Sequence, residues 1–268
     1  MLFESFDGIG APLLASFVCS LSVGIASYLL VFKTKLFDRL LDVPLVPPFL
    51  ALPAIMFAFL MGFMSSDAWQ NFAHARTALI NESSSISRLI AIPLQFPEHQ
   101  KSSHSQIQLY LDAVLNEEWG NHASPSANAK TKLALENMEL IIWNGNTACS
   151  KGGSAQAACI DNFTGTSYLK ALDDLRKARE QRLSLGYLSS VNAKWFLAVA
   201  LAFISALSVA AVHRHNQKTS IISLVLFCSS IWVTFCLVTM YSNPYKWAER
   251  LEPVPLISIF NSLKAGSQ

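Results

Sequence analysis

Few residues in this sequence combine the side-chain type and the spacing that a catalytic or metal-binding site requires. His99 and His104 are five residues apart, a poor spacing for one helical face, and no cysteine or carboxylate cluster completes a zinc site around them. Residues 152–155 (GGSA) lack the lysine-containing frame of a phosphate-binding loop. No serine stands in a G-x-S-x-G motif, the signature of one class of serine hydrolase. We therefore predict no enzymatic activity, no metal and no cofactor.

Two of the five cysteines are placed to form a disulfide. Cys149 and Cys159 bracket a Gly/Ser/Ala-rich loop, and a bond between them would restrain this loop in an oxidising compartment. The alternative is a pair of unpaired thiols in a cytoplasmic loop. Cys19, Cys228 and Cys236 lie in apolar stretches, where we expect them to behave as small apolar side chains.

The composition is typical of a membrane protein. The 268 residues are 52% hydrophobic and only 14% charged, with a mean hydropathy of +0.35. An ordinary soluble domain of this length is less apolar and more highly charged. The net charge is only +2 and the Lys and Arg residues are scattered, which does not indicate a nucleic-acid partner. We therefore expect the chain to contact a lipid bilayer and no nucleic acid.

Four apolar stretches are long enough to cross a bilayer, whose hydrocarbon core of about 30 Å needs roughly 20 helical residues. They are residues 12–32, 49–66, 195–212 and 220–241, and none contains Asp, Glu, Lys or Arg. Ion-coupled transporters usually place ionisable groups at membrane depth, so this class is disfavoured. A passive pore remains compatible with the sequence, because hydroxyls, backbone carbonyls or an apolar constriction can provide selectivity and gating.

Small residues recur every four positions in three of these spans, a spacing that allows helices to approach closely. The predicted packing residues are Ala54, Ala58, Gly62 and Ser66 in the second span and Ala198, Ala202, Ala206 and Ala210 in the third, with Ser16, Ser20 and Gly24 in the first. The fourth span carries Phe227, Trp232 and Phe235 instead. These bulky aromatic side chains predict that the fourth span is a lipid-facing helix.

The second span also provides the candidate lining of any pore. The candidates are Phe57, Phe59, Met61 and Phe63. An apolar lining of this kind gates by excluding water. The alternative is that each of these side chains belongs to the protein core or faces lipid.

The predicted fold class is an all-α integral membrane protein with four transmembrane helices and a helical extramembrane domain inserted between the second and third. The domains are an N-terminal transmembrane hairpin (1–66), the helical domain (67–194), a C-terminal transmembrane hairpin (195–241) and a tail (242–268). In the helical domain we predict helices near 67–92, 103–119 and 130–143 and from 167 onwards. The first continues the second span without a Pro or Gly break, and the last enters the third span.

The loop charges predict which side of the membrane the helical domain occupies. The first short connection carries Lys33, Lys35 and Arg39, and the second carries Arg214 and Lys218. Short basic loops are retained in the cytoplasm. An even number of spans then places both termini and residues 67–194 on the outer, periplasmic side.

Several short motifs, taken in order along the chain, resemble those of bacterial bestrophin-like membrane proteins. They are D-x-W at residues 67–69 followed by Ala75 and Glu82, E-E-W at 117–119, A-R-x-Q-R-L at 178–183, K-W at 194–195 and E-P-x-P-L at 252–256. The resemblance implies a cell inner-membrane protein with distant kinship to pentameric anion channels whose pore is lined by the second span. It therefore implies a homo-oligomeric ion channel.

The sequence differs from bestrophins in two respects. Their acidic calcium clasp has no counterpart here, because residues 117–118 and 173–174 are the only adjacent Glu–Glu and Asp–Asp pairs. Bestrophins also keep their large domain in the cytoplasm, whereas the loop charges here predict an outward one. A second hypothesis therefore stands beside the channel: a non-conducting envelope sensor or scaffold whose outer helical domain binds a protein partner of unknown identity.

Overall fold

The computed structural model describes residues 2–34, 51–94, 97–119, 129–150, 160–187, 192–213, 216–245 and 250–266. These ranges contain eight α-helices and no strand. The helices are α1 (Leu2–Lys33), α2 (Leu52–Ala91), α3 (Pro97–Ala113), α4 (Ala129–Ser150), α5 (Asn162–Tyr187), α6 (Asn192–Val212), α7 (Gln217–Ser242) and α8 (Val254–Gly266). The described part of the protein is therefore all-helical.

Four of the helices, α1, α2, α6 and α7, are long and apolar enough to cross a membrane. They coincide with the four predicted spans, so the prediction of four candidate membrane helices is confirmed. The second of them, α2, is one helix of 40 residues. At a rise of 1.5 Å per residue it is about 60 Å long, roughly twice the thickness of a hydrocarbon core. It therefore extends well beyond any membrane that it crosses.

The chain divides into two compact units. The first unit comprises Met1–Phe72, Ser189–Asn243 and Trp247–Glu249, and the second comprises Ala73–Leu188, Pro244–Lys246 and Arg250–Gln268. Helices α1, α6, α7 and the N-terminal half of α2 belong to the first unit. The remaining helices and the C-terminal half of α2 belong to the second.

Helix α6 lies at the centre of the first unit. Ala198, Ala202, Ala206 and Ala210 are all completely buried. Ala198 and Ala202 pack in one cluster with residues of α2 and α7, and Ala206 and Ala210 pack in another with residues of α1 and α7. Alanine at every fourth position lets the surrounding helices approach α6 closely.

Helices α1 and α7 pack directly against each other. A Cβ atom at Gly24 would lie 2.7 Å from the Cys228 Sγ atom, so only glycine fits there without a shift. Trp232 donates a hydrogen bond of 3.2 Å to the Leu13 carbonyl oxygen, and Phe235 is buried. These bulky residues of α7 therefore pack inward, whereas Ile222, Val225 and Leu226 of the same helix are exposed, so a lipid-facing role of the fourth span stays a prediction.

The second unit is a helical bundle with its own core. Hydrogen bonds join Gln106 to Asn137 and Glu118 to Thr131, so α3 and α4 run antiparallel. The largest fully buried apolar side chains of this core are Ile86, Leu89, Ile107, Tyr110, Leu111, Met138, Ile142, Ile160, Tyr168, Leu172 and Leu175. Their positions recur at helical spacing, as we predicted for a bundle.

Two features of the second unit differ from the sequence-based prediction. Helix α3 ends in a π-helical turn, Val114–Glu118, where we expected an uninterrupted α-helix. The predicted tail contains α8, whose Leu256 is completely buried in the core of the unit. We had predicted no helix in this tail, and its role in the core of the second unit was missed.

Some predictions fall outside the described residues. These are the basic loop at 35–50, the connection at 120–128 and the end of the helix that we expected to enter the third span, at 188–191. The disulfide between Cys149 and Cys159 also lies outside the described side chains and stays a prediction. Within the described part of the chain, Cys19, Cys228 and Cys236 are free cysteines.

Candidate functional site

The exposed side of α2 in the first unit carries three large apolar side chains at four-residue intervals. Ile55, Phe59 and Phe63 expose 49%, 64% and 69% of their surface in the isolated chain. A spacing of four keeps all three on one face of the helix. We call this set the apolar strip. Because the described residues of the chain leave the strip uncovered, it is available to lipid, another protein chain or a pore.

The four pore candidates from the sequence divide between two faces of α2. Phe59 and Phe63 lie on the apolar strip, whereas Phe57 and Met61 are buried within the first unit. The ring of Phe57 packs edge-on against Phe235, with centroids 6.1 Å apart. Residues two apart on a helix point about 200° away from each other, so alternate positions cannot share a face. Ile55, which the sequence-based set omitted, shares the face of Phe59 and Phe63.

The small residues of α2 border the apolar strip. Ala58, Gly62 and Ser66 are exposed and Ala54 is half-buried. A Cβ atom added to Gly62 would meet no heavy atom within 4 Å. The equivalent alanines of α6 are buried inside the protomer, whereas Ala58, Gly62 and Ser66 of α2 are open to a neighbouring molecule.

Motif residues also meet where α2 leaves the predicted span. Lys194 of α6 forms an ion pair with Asp67 of α2. The rings of Trp69 and Tyr241 lie 5.9 Å apart, and Trp69 is largely exposed. Exposed Trp and Tyr side chains are enriched at membrane interfaces. This end of the first unit is therefore suited to the boundary between hydrocarbon and water.

Four buried ionic side chains form a cluster in the second unit, which we call the ionic cluster. It consists of Glu82 on α2, Glu118 in the π-helical turn, and Arg179 and Arg182 on α5, and each is at most 6% exposed. Arg182 donates to Glu82 Oε2 at 2.7 Å and to Glu118 Oε2 at 2.8 Å. Arg179 forms a second ion pair with Glu118. Two carboxylates and two guanidinium groups make the cluster neutral.

Neighbouring side chains complete the hydrogen bonding of the ionic cluster. Tyr110 donates to Glu82 Oε1 at 2.7 Å, and Thr131 donates to Glu118 Oε1 at 2.7 Å. The Arg182 guanidinium carbon lies 4.9 Å from the centre of the Trp119 ring. Trp119 in turn donates from Nε1 to the Leu251 carbonyl oxygen at 3.1 Å. The cluster therefore joins α2, α3, α4, α5 and the segment that precedes α8.

The charges within the cluster shift the pKa values of its members. Burial would raise the pKa of Glu118, but the hydrogen bond from Arg179, the charge of Arg182 and the Thr131 hydroxyl outweigh it, so the pKa lies below its usual value. Burial, followed by the charge of Glu82, raises the pKa of Tyr110 well above its usual value. The Glu118 carboxylate is thus charged at neutral pH, where it pairs with Arg179 and Arg182.

The sequence motifs contained these residues without indicating that they meet. Glu82 occupied a position between buried residues of α2, and E-E-W and A-R-x-Q-R-L placed an acid and two arginines far apart in the chain. An acidic residue on the buried face of an amphipathic helix was the one available signal, because such a side chain requires a partner. Among the described residues, no group of three His, Cys, Asp or Glu side chains is placed to hold a metal ion.

Comparison with solved structures identifies the fold. The chain is similar to crystal structures of a bacterial bestrophin homolog from Klebsiella pneumoniae. One structure of this homolog has a TM-score of 0.60 at 16% identity, covering 96% of each chain. A mutant of it has a TM-score of 0.63 at 15% identity, covering 97% of this chain and 99% of the other. At such identities the likeness establishes the fold alone.

The sequence itself provides the assignment. A comparison with curated proteins gives no match. The model of the Bestrophin-like domain, however, matches residues 16–256, which is most of the 268 residues. The chain therefore belongs to the Bestrophin-like family.

Proposed function

We propose that this protein is a homo-oligomeric ion channel of the bacterial inner membrane and that the apolar strip of α2 lines the narrowest part of its pore. The observation that carries the proposal is the exposure of Ile55, Phe59 and Phe63 at i, i+4 and i+8 on one face. Membership of the Bestrophin-like family supports it. Rings of such side chains from several copies would form a hydrophobic constriction that gates by dewetting.

The bordering small residues support the same arrangement. Ala58 and Gly62 lie beside the strip, and the described part of the chain leaves both exposed. Small residues allow a helix of a second copy to approach closely. One face of α2 would then contact its neighbour while the adjacent face lines the pore.

The proposed channel is passive. None of the four spans carries an Asp, Glu, Lys or Arg residue that could couple ion movement to a proton. In the proposed domain organisation, residues 67–194 form a helical domain on the periplasmic side. The ionic cluster would keep α2 in a fixed position within that domain, since its ion pairs connect α2 to α5 and, through Arg182, to the π-helical turn.

Reconstitution of the purified protein in liposomes tests this proposal. We expect an oligomer by light scattering and a flux of halide or alkali cation, and we expect the double variant Phe59→Ala/Phe63→Ala to conduct severalfold more than the wild type because its constriction is wider. Phe196→Ala is the matched control, since Phe196 is an exposed aromatic residue of α6. A monomer without flux would refute the channel, and an equal effect of the control would refute the role of the strip.

One observation favours the alternative of a sensor or scaffold. Leu133, Leu140 and Trp143 are exposed on one side of α4, in the second unit. Exposed apolar side chains of this size at helical spacing are suited to binding a protein partner. If this is the function, replacing all three with Ser abolishes the cellular phenotype of the protein while ion flux in liposomes is unchanged. Loss of flux without loss of partner binding would instead favour the channel.

A further inference from the structure

A polar groove lies between α2 and α5 in the second unit, beside the ionic cluster. Its volume is about 230 Å³. Helix α2 contributes Asn81, Ser84, Ser85 and Arg88, which recur at i, i+3, i+4 and i+7 and so share one face. The volume is large enough for a small solute together with water.

The groove is also lined by a mostly buried serine whose hydroxyl is not used within the protein. Ser85 is only 3% exposed, and among the described residues its hydroxyl has no hydrogen-bond partner. The neighbouring Ser83 and Ser87 differ, because they donate to the carbonyl oxygens of Ile80 and Ser83, each at 2.9 Å. The Ser85 hydroxyl is not among the fully buried polar atoms without a partner, so it is open to the groove and can donate to a solute there.

The other polar side chains of the groove are also available. Within the described residues, the amides of Asn81 and Gln181 and the hydroxyl of Ser84 form no hydrogen bond with the protein. Ala178, the small residue contributed by α5, leaves space between the two helices. Several hydrogen-bond donors therefore surround one small volume.

The charged lining of the groove is positive. Arg88 and Lys177 contribute two positive charges and Asp174 one negative charge. Arg88 meets Asp174 at 3.4 Å, and Lys177 meets Asp173, outside the lining, at 2.6 Å. These ion pairs are exposed, and exposed pairs contribute little to stability. Both cations are therefore free to turn toward an anion that enters the groove.

We propose that this groove binds a small oxyanion of the phosphate or carboxylate type. Arg88 and Lys177 supply the charge, and the Ser85 hydroxyl and the Asn81 amide donate hydrogen bonds to the anion oxygens. Ser85 follows Ser66, the end of the second span in the proposed domain organisation, by 19 residues. That separation is about 28 Å along the helix, which is farther than a lipid headgroup layer extends. The groove therefore takes a free solute rather than a lipid headgroup.

Titration calorimetry of the full-length protein with inorganic phosphate at constant ionic strength tests this site. We expect saturable binding in the millimolar range, weakened about tenfold or more by Arg88→Gln because a charge-assisted hydrogen bond is lost. Ser85→Ala weakens binding severalfold. The matched controls are Arg76→Gln, an exposed arginine of the same helix outside the groove, and Ser87→Ala, and both bind as the wild type does.

Three results would overturn the inference. The first is the absence of saturable phosphate binding by the wild type. The second is equal weakening by the groove variants and their controls. The third is weaker phosphate binding in nanodiscs of phosphatidylcholine than in a detergent that contains no phosphate, since a lipid phosphate would then occupy the groove. The measurement does not require ion conduction, so its outcome is independent of the channel proposal.

Discussion

Arg182 is the residue on which the buried charges of the second unit depend. It is held between the carboxylates of Glu82 and Glu118 and stacks on Trp119, and it is almost completely removed from water. Burying charges is expensive, so a buried ion pair contributes little compared with an apolar replacement of the whole cluster. Losing a single partner has a different effect, because it leaves a buried charge uncompensated.

Arg182→Met should therefore destabilise the protein by about 3–5 kcal/mol. The measurement is thermal unfolding in detergent, or the rate of limited proteolysis within residues 73–188. Lys177→Met is the control on the same helix, because Lys177 pairs with Asp173 at the surface and its loss should not change stability measurably. Equal stability of the two variants would show that the ionic cluster does not hold the second unit together.

The ionisation of Glu118 should make the stability of the folded protein depend on pH. Its pKa in the folded protein lies below its ordinary value of 4.5, so the carboxylate stabilises the folded state above about pH 4.5. This stabilisation is lost as the pH falls through the folded pKa. Glu118→Gln should be less stable than the wild type at neutral pH and should lose less of its remaining stability on acidification below pH 4.5. Glu136→Gln, an exposed carboxylate of α4, should behave as the wild type; parallel acid profiles for all three proteins would contradict the assignment.

At the scale of elements, the packing of α1 against α7 depends on the absence of a side chain at Gly24. A methyl group there would meet the Cys228 Sγ atom at 2.7 Å. Gly24→Ala should therefore destabilise the first unit by about 1–3 kcal/mol, the usual cost of overpacking. Gly24→Ala/Cys228→Ala should regain most of this loss. Gly62→Ala is the control, because the site is open in the protomer, and a double variant no more stable than Gly24→Ala would contradict the contact.

The long helices could be predicted from sequence because each corresponds to an uninterrupted apolar or amphipathic stretch. Helix α2 has an uncharged apolar half, an amphipathic half and no Pro or Gly near the join, so its continuity followed from local chemistry. Helix α8 and the π-helical turn at Val114–Glu118 could not be predicted in this way. In helix α8, Leu256 is buried in a core formed by residues that are distant in sequence. The π-helical turn places Glu118 against Arg179 and Arg182. Both features therefore depend on tertiary contacts, which local sequence does not reveal.

The candidate site was only partly predictable for a related reason. Phe59 and Phe63 were identified by their type, but separating them from Phe57 and Met61 required knowing which side of α2 the first unit covers. Hydrophobicity alone does not distinguish a membrane helix face that packs on protein from one that faces lipid or a pore. The ionic cluster was missed because its four members are distant in sequence, and pairing among buried charges is decided by the fold.

At the scale of the whole molecule, we predict the orientation of the protein in the membrane. The basic short connections predict that Cys149 and Cys159 are periplasmic and joined by a disulfide. A membrane-impermeant thiol reagent applied to intact spheroplasts should then label Cys149 and Cys159 only after reduction. Cys149→Ser/Cys159→Ser is the control for labelling of other cysteines. Labelling without reduction, and only in inverted vesicles, would reverse the topology and place the second unit in the cytoplasm.

The central claim is that copies of α2 surround an ion pathway with the apolar strip facing it. Thiol modification of single cysteines, in a variant whose five natural cysteines are replaced by Ser, tests this most directly. The two positions to compare are Phe63→Cys, on the strip, and Phe57→Cys, which packs against Phe235 inside the protomer. We predict that a charged methanethiosulfonate reagent changes ion flux in liposomes through Phe63→Cys and not through Phe57→Cys. Unchanged flux after complete modification of Phe63→Cys would contradict the account.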